Sequence, residues 1–478
     1  MGPLLPLLAL ALLAAPPDDA GARLRACERR IEQGREADAC LAALEREGAA
    51  PGRLALLQAR HAFLATRLDE ASTRLAGLGD EPEAVSLRRL VDAYQGHASD
   101  YKAREILRSD GVVLRWRHPA DEVFVYLLPS RLAALRARLS EALGGPFAPP
   151  AEIILASDRD DLAALAGLPV DEVRATRLAG TARHNRVLLL SPGADPEGPP
   201  FLENLAHQLT LHAIARSFGP DVPHWLAEGV AQVQDGRFEA PGGRRWLLPP
   251  EDVARRTLSF DPSQTSRTSS RADVGLLGAL VVKGVLRAHG APALVDLLAS
   301  GGTSLPRSRL VTLLVDEWTR EARRPTFSGP PPARQSRDEA VERPLRLARL
   351  LLASNHPHAA LAELRKAHAR DRSVHTGLLL LPLAVQLGEW ETAKALCEGL
   401  PKADAEGYAY RFFCGQLRMA RQEYAAAAEA FERAVDFQPY DAPAHQALLQ
   451  VREQQNDSRA KLDQALILDA IGARKEEP

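Results

Sequence analysis

Apolar residues recur at helical spacing along most of this chain. Over residues 23–108 the pattern is helical throughout. Leu24, Cys27 and Ile31 share one face, and Cys40, Leu41 and Leu44 share the next. Gln33-Gly34 marks a turn between them. Further apolar runs fall at 54–64, 71–78 and 85–94, and Arg67-Leu68-Asp69-Glu70-Ala71 with Leu75 reads as the junction of a helical hairpin. The period changes after Asp110-Gly111. Val112-Val113-Leu114-Arg115-Trp116, Ile153-Ile154-Leu155 and Val187-Leu188-Leu189-Leu190 read as strands. Helical patterns lie between them at 131–143, stopped by Gly144-Gly145-Pro146, and at 158–165, with Asp158 as N-cap. Strands mixed with helices make this an α+β centre. Residues 251–270 are polar and read as a loop, and 274–286 and 292–298 read as helices.

A Pro-rich stretch over 323–341 reads as a linker. Helical periodicity returns over 342–470. There Ala427, Phe431 and Ala434, followed by Pro439, match the small-large-small core of the tetratricopeptide repeat, and Gly415 falls where that repeat takes a small residue. Ala393 and Cys397 sit one repeat earlier, and Ala360, Leu364 and Ala367 one before that, close to the expected period of about 34 residues. A plain helical bundle is the alternative. The expected fold is mainly α with an α+β centre: a tetratricopeptide-like region at 21–110, a central domain at 111–322, the linker, and a second repeat region at 342–470.

Residues 1–20 open on an apolar run of about twelve residues, the length of a signal-peptide core and too short to span a bilayer. The expectation is export to the periplasm or cell envelope, with no membrane span afterwards. Composition adds two points. The 478 residues carry a formal charge of −2 and no basic-aromatic stripe, so no nucleic-acid partner is expected. Cys27 and Cys40 flank the Gly34 turn, and Cys397 and Cys414 flank the turn near residues 402–404. Two disulfides stapling hairpins in an oxidising compartment, or four buried thiols, both fit this placement.

The chemistry concentrates in one stretch. His207 is followed by Gln208, with Leu211 four places on and His212 five places on, and Glu228 lies in Trp225-Leu226-Ala227-Glu228-Gly229. A zinc peptidase of the H-E-x-x-H type needs imidazoles at i and i+4, a Glu beside the first to activate water, and a third ligand from another helix. Gln208 is an amide and cannot take that proton, and Leu211 offers no lone pair. His212 points about 140° away from His207 on a regular helix and would rejoin it only through a π-bulge. Glu203, at i−4 from His207, is the nearest substitute base. His184, His224 and His289 stand alone and read as structural.

The stretch from Phe201 to Ala231 resembles the bacterial peptidase MA-like domains of the gluzincin branch, through Leu205-Ala206-His207-Gln208-Leu209-Thr210 and Pro223-His224-Trp225-Leu226-Ala227-Glu228-Gly229-Val230-Ala231. The similarity extends upstream to Leu165-Ala166-Gly167-Leu168-Pro169 and to the strand at 186–192, and downstream to Leu286-Arg287-Ala288-His289-Gly290. The resemblance implies a zincin-like domain with one strand edging a cleft. Two functions compete. One is an exported scaffold whose peptidase-like domain has lost catalysis and whose repeats grip a protein or peptide partner, with no cofactor. The other is an active zinc peptidase using His207, His212 and Glu228. A metal bound without turnover lies between them.

Overall fold

The computed structural model describes residues 20–33, 37–98, 100–107, 111–195, 199–219, 221–235, 255, 268–322, 339–400 and 407–472. Residues 1–19, most of the expected loop at 251–270, and 323–338 of the linker lie outside them. The described residues form twenty α-helices and one five-stranded mixed sheet. No helix among them is long and apolar enough to cross a membrane.

The chain begins with α1 (Ala20–Glu32), α2 (Asp38–Arg46), α3 (Pro51–Leu64), α4 (Leu68–Ala76) and α5 (Pro82–Ala98). The central block adds β1 (Lys102–Leu107), β2 (Val112–Trp116), α6 (Val123–Ala142), β3 (Glu152–Ala156), α7 (Arg159–Ala166), α8 (Val170–Thr176), β4 (Gly180–Arg183) and β5 (Arg186–Leu190). The strand order is β1-β2-β3-β5-β4. β2, β3 and β5 run parallel, and the edge strands β1 and β4 run antiparallel to their neighbours.

The three apolar runs read as strands are the three central strands; β3 and β5 are buried along their whole length, and β2 alternates buried and half-buried residues. β1 and β4 lie where the sequence pattern shows no strand. β1 falls in the stretch read as helical; its Lys-Ala-Arg-Glu-Ile-Leu favours helix, but backbone pairing to β2 overrides that preference. β4 has four residues and no apolar alternation. Asp158 caps α7 as expected, its carboxylate accepting from the backbone N–H groups of Asp160 and Asp161. α6 starts earlier than the sequence pattern indicates and carries Pro129 inside.

Both faces of the sheet are covered. Ile153, Leu155, Val187 and Leu189 join one core with residues of α6 and the helices that follow β5, whereas Ile154, Ala156 and Leu188 join another with α3, α4, α5 and α7. Residues on both sides of position 110 therefore share one core. Arg186 fixes this junction. It is fully buried, pairs with Glu152 at 2.6 Å, donates to the Phe63 carbonyl at 3.2 Å, and lies against the rings of Phe63 and Tyr94.

After β5 come α9 (Phe201–Phe218), α10 (His224–Gln234), α11 (Thr268–Ala299) and α12 (Arg307–Ala322). The two helices expected at 274–286 and 292–298 are the halves of α11, which breaks at Gly290 with φ 79°. The C-terminal region is α13 (Glu339–Ala353), α14 (Pro357–Arg370), α15 (Val374–Gln386), α16 (Trp390–Gly399), α17 (Tyr408–Ala420), α18 (Tyr424–Phe437), α19 (Ala442–Gln454) and α20 (Ser458–Ala470). Neighbouring helices pack as successive pairs. Ala427, Phe431 and Ala434 are fully buried, and a Cβ at Gly415 would lie 2.7 Å from the Phe431 ring, so glycine lets the large side chain fill that space.

These helices fold back on the centre. Ile467 of α20 belongs to the central core. The Tyr440 hydroxyl donates to buried Asp121, which also accepts from Ser191 at 2.9 Å. Arg131 of α6 reaches Asp436 at 3.2 Å and Glu432 at 3.6 Å.

Two disulfides are formed. Cys27–Cys40 ties α1 to α2, and Cys397–Cys414 ties α16 to α17. They join residues 13 and 17 positions apart, so chain entropy puts each at about 3 kcal/mol. Unfolding in denaturant with and without a thiol reductant should show a lower midpoint on reduction, and an unchanged midpoint would show that neither bond contributes.

Candidate functional site

α9 lies beside β5 and the edge strand β4. Asn204 on α9 donates to the Ala179 carbonyl at 2.9 Å, which anchors the helix at the start of that edge. α10 is held by α11 at a crossing of two glycines. A Cβ on Gly278 would lie 2.0 Å from the Trp225 carbonyl oxygen, and one on Gly229 would lie 2.4 Å from the Gly278 backbone. The glycine of Trp225-Leu226-Ala227-Glu228-Gly229 is therefore required by close helix packing. The crossing turns Glu228 toward α9.

His207 meets two carboxylates. Its Nε2 is 3.2 Å from Glu228 Oε2 and its Nδ1 is 2.9 Å from Asp235 Oδ2. Ionised carboxylates only accept hydrogen bonds, so the two contacts favour a ring with a proton on each nitrogen. Burial opposes the charge, but the hydrogen bonds that the ring donates to Asp235 and Glu228, and the charges of those two groups, outweigh it and push the pKa up to about 9. The Asp235 side chain is 1% exposed. It follows Glu228 by seven residues, two turns of helix, and that spacing is the signal that could have marked it. His224, one turn before Glu228, places Nδ1 4.0 Å from its other oxygen, so it belongs to the edge of this cluster and does not stand alone.

The other sequence-selected residues face elsewhere. His212 is buried and its Nε2 lies 3.1 Å from the Ala148 carbonyl oxygen. Burial, with the charge of Arg216, holds its pKa down to about 4, so the ring is neutral and donates to that carbonyl. α9 shows no bulge that would bring it round to His207. Gln208 is buried. Its amide nitrogen is 3.5 Å from Asn204 Oδ1, and its Oε1 has no hydrogen-bond partner among the described residues. Leu211 is half-buried on the same helix. Glu203 lines a cleft between α9, α6 and α18. Of the five polar positions, the fold joins His207 and Glu228 and adds Asp235.

A zinc centre of the resembled kind needs three protein donors and a base. His207 and Glu228 supply two donors, already hydrogen-bonded to each other. The i+4 place is Leu211, and the base place is an amide. The residues present do not fit that group. Among the described residues, no three His, Cys, Asp or Glu side chains are arranged to hold a metal ion. What the arrangement does chemically is hold a buried positive charge between two negative ones. Comparison with known protein families and with curated proteins gives no match.

The ion triad makes stability depend on pH. The folded-state value of about 9 lies above the ordinary 6.5, so the contribution is full below about pH 6.5 and is lost as pH rises through about 9. His207→Gln should cost about 3 kcal/mol near pH 6 and much less near pH 10, read from denaturant unfolding of both chains. An equal cost at both pH values would show that the ring is uncharged. Histidine NMR should show one ring protonated well above neutrality.

Proposed function

We propose that this chain is an exported scaffold of the cell envelope: a peptidase MA-like domain that does not hydrolyse, joined to tetratricopeptide-like helices that hold a protein or peptide partner. The observation that carries this reading is the direction of His212, whose Nε2 lies 3.1 Å from the Ala148 carbonyl oxygen and away from His207 and Glu228, together with Leu211 at the i+4 position and Gln208 at the base position. An amide does not deprotonate water at neutral pH. The two disulfides fit an oxidising compartment, in keeping with the apolar segment at 1–20. The small-large-small positions of α18, packed around Phe431 and Gly415, support the repeat reading of the C-terminal helices.

The competing reading, an active zinc peptidase, needs His212 at the metal, and that nitrogen is directed at Ala148 O. Metal analysis of the purified chain, with mass spectrometry of an incubated peptide mixture, separates the two. The expected result is no stoichiometric zinc and no cleavage. Stoichiometric zinc that disappears in His212→Ala would overturn the scaffold reading. The paired substitution Gln208→Glu, Leu211→His should create zinc binding. If the pair binds none, the resemblance to the peptidase MA-like domains is wrong.

A further inference from the structure

α13 opens the C-terminal run of helices and packs on α14 through Leu345 and Ala348. Its apolar arc is wider than that contact. Leu350 is 65% exposed, more than any other large apolar side chain among the described residues, and Leu347 on the same side is 41% exposed. A run of paired helices stays soluble when its end helix turns a polar face outward. α13 does so on only part of its circumference.

The exposed leucines belong to a stripe. Arg343, Leu347, Leu350 and Ser354 fall at i, i+4, i+7 and i+11, within about 60° of arc and about 120° round from the side that α14 covers. Ser354 continues the helical line, its N–H bonding to the Leu350 carbonyl at 3.0 Å. Such spacing lets two helices pack along their length. Beside the stripe, Arg346 is answered by Glu339 on the same helix.

The stripe complements itself in one orientation. Set antiparallel about a two-fold axis, Leu347 of each copy meets Leu350 of the other. Arg343 then meets the partner's Ser354 and the carbonyl end of that helix, where the dipole is negative. Arg343 makes no ion pair among the described residues, so its charge is open to this contact. Parallel pairing would set Arg343 against Arg343. Glu339 and Glu342 on the same helix weigh against an anionic lipid surface as the occupant.

We infer that α13 is a dimerisation helix, which binds the α13 of a second copy of this chain in antiparallel fashion through Leu347 and Leu350. Two leucines from each copy bury less than the roughly 1,000 Å² of a stable complex, so the dimer is weak and exchanges with free chains. The inference does not rest on the scaffold reading, because it uses no residue of the central domain.

The test uses the full chain in sedimentation velocity over a range of concentrations. The mass should rise toward a dimer as the concentration approaches about 100 μM. Leu350→Asp should weaken association about tenfold or more, because the dimer would bury a carboxylate, while thermal unfolding stays close to wild type. Cysteine cross-linking reads the orientation. The four native cysteines are all in disulfides, so an introduced one is the sole thiol. Mixed Leu347→Cys and Leu350→Cys chains should cross-link several-fold faster than Arg343→Cys chains, whose thiols antiparallel pairing holds about 16 Å apart along the axis. A chain that stays monomeric at about 500 μM, or a dimer that Leu350→Asp leaves intact, would overturn the inference. So would fastest cross-linking through Arg343→Cys. Binding of the monomer to phosphatidylglycerol vesicles, lost in Leu350→Asp, would give the face to a membrane and likewise overturn it.

Discussion

One imidazole ring held by two carboxylates is the constraint around which the centre of this protein is arranged. Burial opposes a charge on that ring and the two carboxylates favour it, so the charge depends on both partners staying in place. Glu228 and Asp235 come from one helix and its C-terminal edge, and His207 comes from another, so the contact fixes the approach of α9 to α10. The Gly229–Gly278 crossing fixes α10 against α11 from behind, and Asn204 fixes α9 against the start of β4.

The surrounding architecture repeats this device with different chemistry. Arg186 is buried against Glu152 and two aromatic rings, and it joins the N-terminal helices to the sheet. Burial raises the pKa of Asp121, the Tyr440 and Ser191 hydrogen bonds hold it back, and this group joins the C-terminal helices to the same block. Each joint uses a buried polar group whose partners come from distant parts of the sequence. Such groups are costly when unpaired, so they specify which surfaces meet.

The functional reading follows from what these side chains can still do. Hydrolysis by the resembled route needs a lone pair at each ligand position and a base that can take a proton. At those positions the chain offers one imidazole held between two carboxylates, a leucine, an imidazole turned away and an amide.

Much of this was legible in the sequence. Apolar runs identify β2, β3 and β5; those of β3 and β5 are continuous because strands buried on both faces have no polar side to show, whereas β2 alternates and carries Arg115 on its half-buried face. Asp158 announces its helix, because a cap is a local interaction. The five-residue gap between His207 and His212 already separates their directions, because helix geometry is local too. The cysteine pairs were legible as neighbours across turns, but both thiols and disulfides fitted until the fold brought the sulfurs together. β1 and β4 were not legible, since edge strands are made by pairing with a neighbour and not by their own residues. The spacing of Asp235 from Glu228 is written in the sequence, but which helix faces the two acids is not. Local periodicity and side-chain chemistry are written in the sequence; which buried charges meet is decided only when the elements pack, because that energy belongs to pairs and not to single residues.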